Sequence, residues 1–200
     1  MSDNSFAPSE LRKLRSLGTP YGIQRFMDAM PYHLATTAWS PRRVLRERTA
    51  HCLEGAIFAA AALRAIGFPP LVIDLEAEHD TDHVVAVYRV RGHWGAVAKS
   101  NYAFLSYREP IYRSLRELAM SFFEQYFNLR RERTLRTFSN PVDLSRFDDR
   151  GWMTSAKDVW FIPEYLLTIA HRPLLKPWMR RSLHRLDDRS FGAGTYGLKK

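Results

Sequence analysis

Residues Gly55 to Leu63, GAIFAAAAL, carry no polar side chain on any side. Alanine and leucine are strong helix formers, and a helix that is apolar all round has no face to give to water, so this segment predicts a helix enclosed by the rest of the chain. The unbroken apolar run Ala56 to Leu63 is far shorter than the roughly 20 residues that cross a bilayer, so enclosure by protein rather than lipid is expected. A chain of 200 residues, 46% hydrophobic and 13% aromatic, has the material to surround such a helix within one domain.

The segments before it read as helices. Leu11, Leu14 and Leu17 share a face ahead of Gly18. Thr19-Pro20 supplies a cap and a first-turn proline for a helix with Ile23, Phe26, Met27 and Met30 on one stripe, and Ser40-Pro41 repeats the signal before Val44 and Leu45. After it, Gly67 and Pro69-Pro70 stop the helix and the period changes to two. PLVIDLEA, DHVVAVYRV and HWGAVAKS read as three strands, with a hairpin turn marked by Gly92. From Glu109-Pro110 the helical period returns, with Ile111, Leu115, Leu118, Phe122 and Tyr126 on one face. PVDLSRF reads as a short edge strand, and Ser155-x-x-Asp158 as the cap of a further helix that Pro163 interrupts or restarts. With no internal repeat and no long linker, the expectation is a single α+β domain over residues 1–190, followed by a flexible, glycine-rich basic tail over 191–200.

The single cysteine, Cys52, stands where a polar loop gives way to the apolar helix. The first turn of a helix has unpaired N–H groups and the positive end of the dipole, both of which stabilise a thiolate and an oxyanion. His83, at the start of the second strand, is the candidate base; His51 points about 100° away from Cys52 on a helix and suits the role less well. A metal reading of His79 and His83 needs helical spacing that a strand does not give, so no metal and no cofactor is expected.

The pattern C-x3-A-x6-L-R-x2-G-x-P, filled by Cys52, Ala56, Leu63, Arg64, Gly67 and Pro69, is followed by a strand opening with His83 and a hairpin return containing Gly92 and Trp94. Over about Val44 to Tyr112 this resembles the transglutaminase-like superfamily, which belongs with the papain-like cysteine enzymes. The resemblance implies a helix N-terminal cysteine packed on a small antiparallel sheet, here with additional N- and C-terminal helices, facing a histidine and an acid on neighbouring strands. The acid position, four residues after the tryptophan, holds Ala98. Strand parity offers substitutes. A two-residue turn at Arg91-Gly92 places Ser100 opposite His83, a three-residue loop places Asn101 there, and Asp143 or Asp158 folding back would be a third source. Lys99 projects to the other face.

The resulting expectation is a Cys-His thiol hydrolase or acyltransferase acting on a peptide or protein amide or ester carbonyl, with Cys52, His83 and either Ser100 or Asn101 as its site. The alternative is a catalytically inactive binding or assembly module of the same fold. The formal charge of +9 raises nucleic-acid association as a second alternative, but the arginines are scattered and read as a solvated face. One cysteine makes no internal disulfide and the N-terminus lacks a secretory pattern, so a cytoplasmic, non-membrane protein is expected.

Overall fold

The structure, a computed structural model, describes residues 5–199; residues 1–4 and Lys200, and with them the outer ends of the expected domain and tail, lie outside the described residues. Helices α1 (Pro8–Arg15), α2 (Pro20–Asp28) and α3 (Pro41–Glu47) lead into α4 (Cys52–Ala65). Each of the first three begins with proline, whose missing N–H costs nothing in a first turn. Thr19 caps α2 by accepting from the Gly22 N–H at 3.0 Å, and Ser40 faces the Arg43 N–H at 3.5 Å at the start of α3. Gly67, at φ +98°, ends the turn after α4 as the sequence implies.

Three antiparallel strands follow: β1 (Leu71–Ala77), β2 (His83–Val90) and β3 (His93–Val97). The turn between β2 and β3 has two residues, Arg91 and Gly92, both at positive φ, and Val90 pairs with His93. The chain continues through β4 (Arg108–Tyr112), α5 (Leu115–Met120), a 3-10 turn at Phe123–Gln125, β5 (Leu135–Ser139), β6 (Val142–Asp143), a second 3-10 segment at Leu144–Arg150, α6 (Phe161–Thr168), β7 (His171–Pro173), α7 (Pro177–Arg181) and α8 (Asp188–Gly194). All pairings are antiparallel, in the order β4-β3-β2-β1-β5-β7, with β6 also on β1. The architecture is α+β.

Two apolar layers sandwich the sheet. Val72, Val84, Ala86, Tyr88 and Val97 pack with α4 and the N-terminal helices, while Ile73, Leu75, Val85, Val87 and Ala96 pack with Leu118, Phe122 and Tyr126. Residues 54–63 of α4 are all buried, as a helix with no polar face requires.

Two expectations are corrected. Residues 108–112 form an edge strand rather than the start of a long helix: Pro110 has no N–H to give to a ladder, and an edge strand is the place in a sheet that tolerates it. The helix starts instead at the Ser114 cap, whose hydroxyl accepts from the Glu117 N–H at 3.1 Å, and Ile111 lies exposed. Ser155 caps no helix: its hydroxyl accepts from the Lys157 N–H, Asp158 accepts from Arg43 and the Ala38 N–H, and Pro163 lies in the first turn of α6.

Gly55 is where α4 meets the chain leaving β3. A Cβ built there lies 2.4 Å from Lys99 Cβ, and neither backbone is free to withdraw. Gly55→Ala is expected to cost about 1–3 kcal/mol, read as a lower urea midpoint at unchanged m-value.

Candidate functional site

The loop before α4 is organised by one carboxylate. Glu54, in the first turn, has no exposed surface, yet accepts from the Thr37 hydroxyl at 2.6 Å, the Trp39 N–H at 3.1 Å and the His51 N–H at 3.2 Å, and contacts His33 Nδ1 at 3.0 Å. His51 is the N-cap and Glu54 the N3 residue, a spacing that lets the carboxylate reach back to the cap. Residues 31–33 run beside 49–50, with Tyr32 bridged to Ala50 and the His33 N–H donating to the Ala50 carbonyl at 3.1 Å. This brings Tyr32 to Cys52, the first residue of α4, where its hydroxyl interacts with both the thiol and the backbone N–H.

Cys52 and His83 line one cavity of about 200 Å³, together with Tyr32, Asp82, Asn101 and Tyr126. The Cys52 thiol donates to the Asp82 carbonyl at 3.9 Å. No hydrogen bond joins it to His83 in this state. His83 is 4% exposed and stands edge-on to Phe122 and Tyr126, with ring centroids 6.3 Å away in each case. Its Nε2 lies 2.9 Å from the Leu105 carbonyl. A carbonyl only accepts, so Nε2 carries the proton and, in the neutral ring, Nδ1 is the free base.

Burial sets the protonation states. It pushes the Cys52 thiol up, against the Tyr32 hydroxyl and backbone N–H groups that pull it down. It pushes His83 down to about 4, with the Arg108 guanidinium adding to the effect and the Leu105 bond opposing it. At neutral pH the site therefore rests as thiol and imidazole, not as an ion pair.

Backbone strain flanks the cavity on both sides. His79 and Phe104 are in the left-handed region at φ +60° and +70°, costing about 1–2 kcal/mol each. Phe104 immediately precedes the carbonyl that holds His83. The loop of His79 is pinned by the Tyr126 hydroxyl, which donates to the Thr81 carbonyl at 2.7 Å, and by Thr134, which donates to Asp80 at 2.7 Å.

Of the expected site residues, Cys52, His83, Ser100 and Asn101 all line the cavity, but neither Ser100 nor Asn101 orients His83. Strand β3 ends at Val97, opposite Ala86, because the Gln24 side chain takes both main-chain groups of Ala98, at 2.9 and 3.0 Å. The register therefore never reaches His83. The Ser100 hydroxyl accepts from the Tyr102 N–H, and the Asn101 amide pairs with Lys199. Asp143 faces Ser145 and Asp158 faces Arg43. His51 donates from Nε2 to the Thr37 carbonyl at 2.9 Å, so it too is turned away. Ala98 lies in the apolar layer with Leu105 and Phe122. Lys99, on the other face, buries its ammonium against the Met27 and Met30 carbonyls at 2.8 and 2.6 Å.

Sequence reading missed three groups: Tyr32, Glu54 and the Leu105 carbonyl. The His51-x-x-Glu54 capping spacing was a usable signal for the second. No helix of the described residues is long and apolar enough to cross a membrane. No protein-family model matches the chain, and no curated protein matches it at a significant level.

Two outcomes follow from this geometry. Glu54→Ala leaves four buried or half-buried partners facing a void and is expected to cost at least about 3 kcal/mol in urea unfolding. For His83, the stability contributed by the neutral ring is fully present above its ordinary value of 6.5 and is lost as pH falls toward 4, on the order of 3 kcal/mol. The stability difference between wild type and His83→Gln is therefore expected to move against the wild type by that amount between pH 7.5 and pH 4, as measured by urea titrations across the range.

Proposed function

We propose that the protein is a thiol hydrolase or acyltransferase of transglutaminase-like, papain-like organisation, with Cys52 as nucleophile and His83 as base. The observation that carries this reading is the His83–Leu105 hydrogen bond at 2.9 Å, which fixes the proton on Nε2 and leaves Nδ1 unprotonated on a ring that lines the same cavity as Cys52. A main-chain carbonyl thus takes the orienting part that a side-chain acid takes in the related enzymes.

In this mechanism Nδ1 removes the thiol proton as sulfur attacks an amide or ester carbonyl. The N–H groups of Cys52 and Leu53, which have no partner within α4 and face the thiol and the Tyr32 hydroxyl, hold the developing oxyanion. Collapse of the tetrahedral intermediate breaks the C–N or C–O bond, and the imidazolium returns its proton to the leaving group. Water or an amine then attacks the thioester, giving up a proton to Nδ1, and the thiol is restored. Because the resting pair is neutral, the ion pair forms only as the reaction proceeds.

The second reading, an inactive binding or assembly module, is favoured by one observation: the hydrogen bond made by the thiol runs to the Asp82 carbonyl and not to His83. Alkylation separates the two. The enzyme reading expects Cys52 to react with iodoacetamide in the folded protein, with the rate at pH 7 reduced roughly hundredfold in His83→Ala. It also expects one equivalent of 4-nitrophenol from 4-nitrophenyl acetate in a burst that Cys52→Ser abolishes. A thiol inert until the protein unfolds, with no burst, leaves the module.

A further inference from the structure

The C-terminal arm is anchored beside this cavity. Gly194 lies under the Phe127 ring, where a Cβ would come within 2.4 Å of Cζ, and its carbonyl accepts from the Ala103 N–H at 2.9 Å. Beyond it, Lys199 makes three contacts. Its N–H donates to Asn101 Oδ1 at 2.9 Å, its carbonyl accepts from Asn101 Nδ2 at 2.8 Å, and its ammonium donates to the Tyr32 carbonyl at 2.9 Å.

Tyr32 and Asn101 are walls of the Cys52 cavity. They also share a second, adjoining recess of about 460 Å³ with Tyr196, Gly197 and Lys199. One residue of the arm therefore ties two walls together, and any opening that separates Tyr32 from Asn101 must break a bond to Lys199. The pairing with Asn101 has the chemistry of a strand: a side-chain amide offers one donor and one acceptor to the N–H and carbonyl of the same residue. An extended peptide presents that pair at every second residue along one edge.

We propose that Asn101 is a docking point for the main chain of an extended peptide at the rim of the Cys52 cavity, and that Lys199 occupies it in cis, clasping the cavity until a peptide substrate displaces the arm. This rests on the thiol-enzyme reading above and adds to it a substrate class and a control of access. Displacement exchanges like for like: the incoming peptide replaces both Asn101 bonds, while the Lys199–Tyr32 bond is lost and Tyr32 is released from the arm.

The test uses the full chain as wild type, Asn101→Ala and Lys199→Ala, with two readouts: the iodoacetamide rate of Cys52 and deuterium exchange of the segment after Asp187. Loss of two hydrogen bonds in Asn101→Ala is expected to raise both, the alkylation rate by about fivefold or more, and Lys199→Ala, a change at an exposed residue expected to leave the urea midpoint unchanged, to raise both by less. Faster exchange of the arm with an unchanged alkylation rate in both variants overturns the clasp and leaves the thiol reading standing. An arm that already exchanges freely in wild type also overturns the clasp. A Cys52 that stays unreactive in all three proteins, although the arm is released, overturns the thiol-enzyme reading and removes the clasp's purpose with it.

Discussion

The buried carboxylate of Glu54 is the interaction on which the site depends. A buried carboxyl group without partners is unstable, and Glu54 is tolerated because the loop before α4 converges on it with hydroxyl, main-chain and imidazole partners. The dependence runs both ways. Residues 33–39 have no regular structure of their own, so satisfying Glu54 is what folds them back over the start of α4. That fold-back delivers Tyr32 to the thiol and closes one wall of the cavity.

The second constraint is the all-apolar surface of α4. Helices α1, α2 and α3 on one side and the sheet on the other enclose it, and the helix start is fixed at the point where the polar loop ends. Cys52 is thus placed by the packing of residues that take no part in chemistry. The fit at Gly55 against Lys99 couples this helix to the strand end from which the loop carrying Ser100, Asn101 and Leu105 departs. The two walls of the cavity are therefore positioned through one close contact and not independently.

Much of the framework was legible in the chain. Proline-led helix starts, the glycine stop after α4, the three strands and the two-residue hairpin follow from short-range rules that use a few neighbouring residues. The long helix expected from Glu109 to Tyr126 starts later because Pro110 satisfies both a helix start and an edge strand, and only the pairing of β4 with Trp94 and Ala96 decides between them. In the candidate site, Cys52 and His83 could be named from the chain because a thiol and an imidazole are distinctive side chains, and the fold sets both around one cavity. The partner of His83 was not, since it is a peptide carbonyl that every residue possesses, brought there by a turn at Phe104 with no sequence signature. Strand parity pointed to Ser100 or Asn101 because it assumes the ladder continues, and the Gln24 side chain ends it at Ala98. The basic character is likewise less telling than it looks: Arg43, Arg48, Arg108 and Arg150 lie over aromatic rings within 4.3 Å of their centroids, so part of the cationic surplus serves packing.

Holding the imidazole by a main-chain oxygen has a consequence for how such a site changes over mutational time. A carboxylate can be deleted by one codon change, but the Leu105 carbonyl persists whatever side chain the position carries. Its direction is set by loop shape, and loop shape responds to insertions, deletions and substitutions at residues with positive φ. Damage to this site should therefore accumulate in the length and conformation of the segment 98–107, where a comparison of residue identities at polar positions would not look for it.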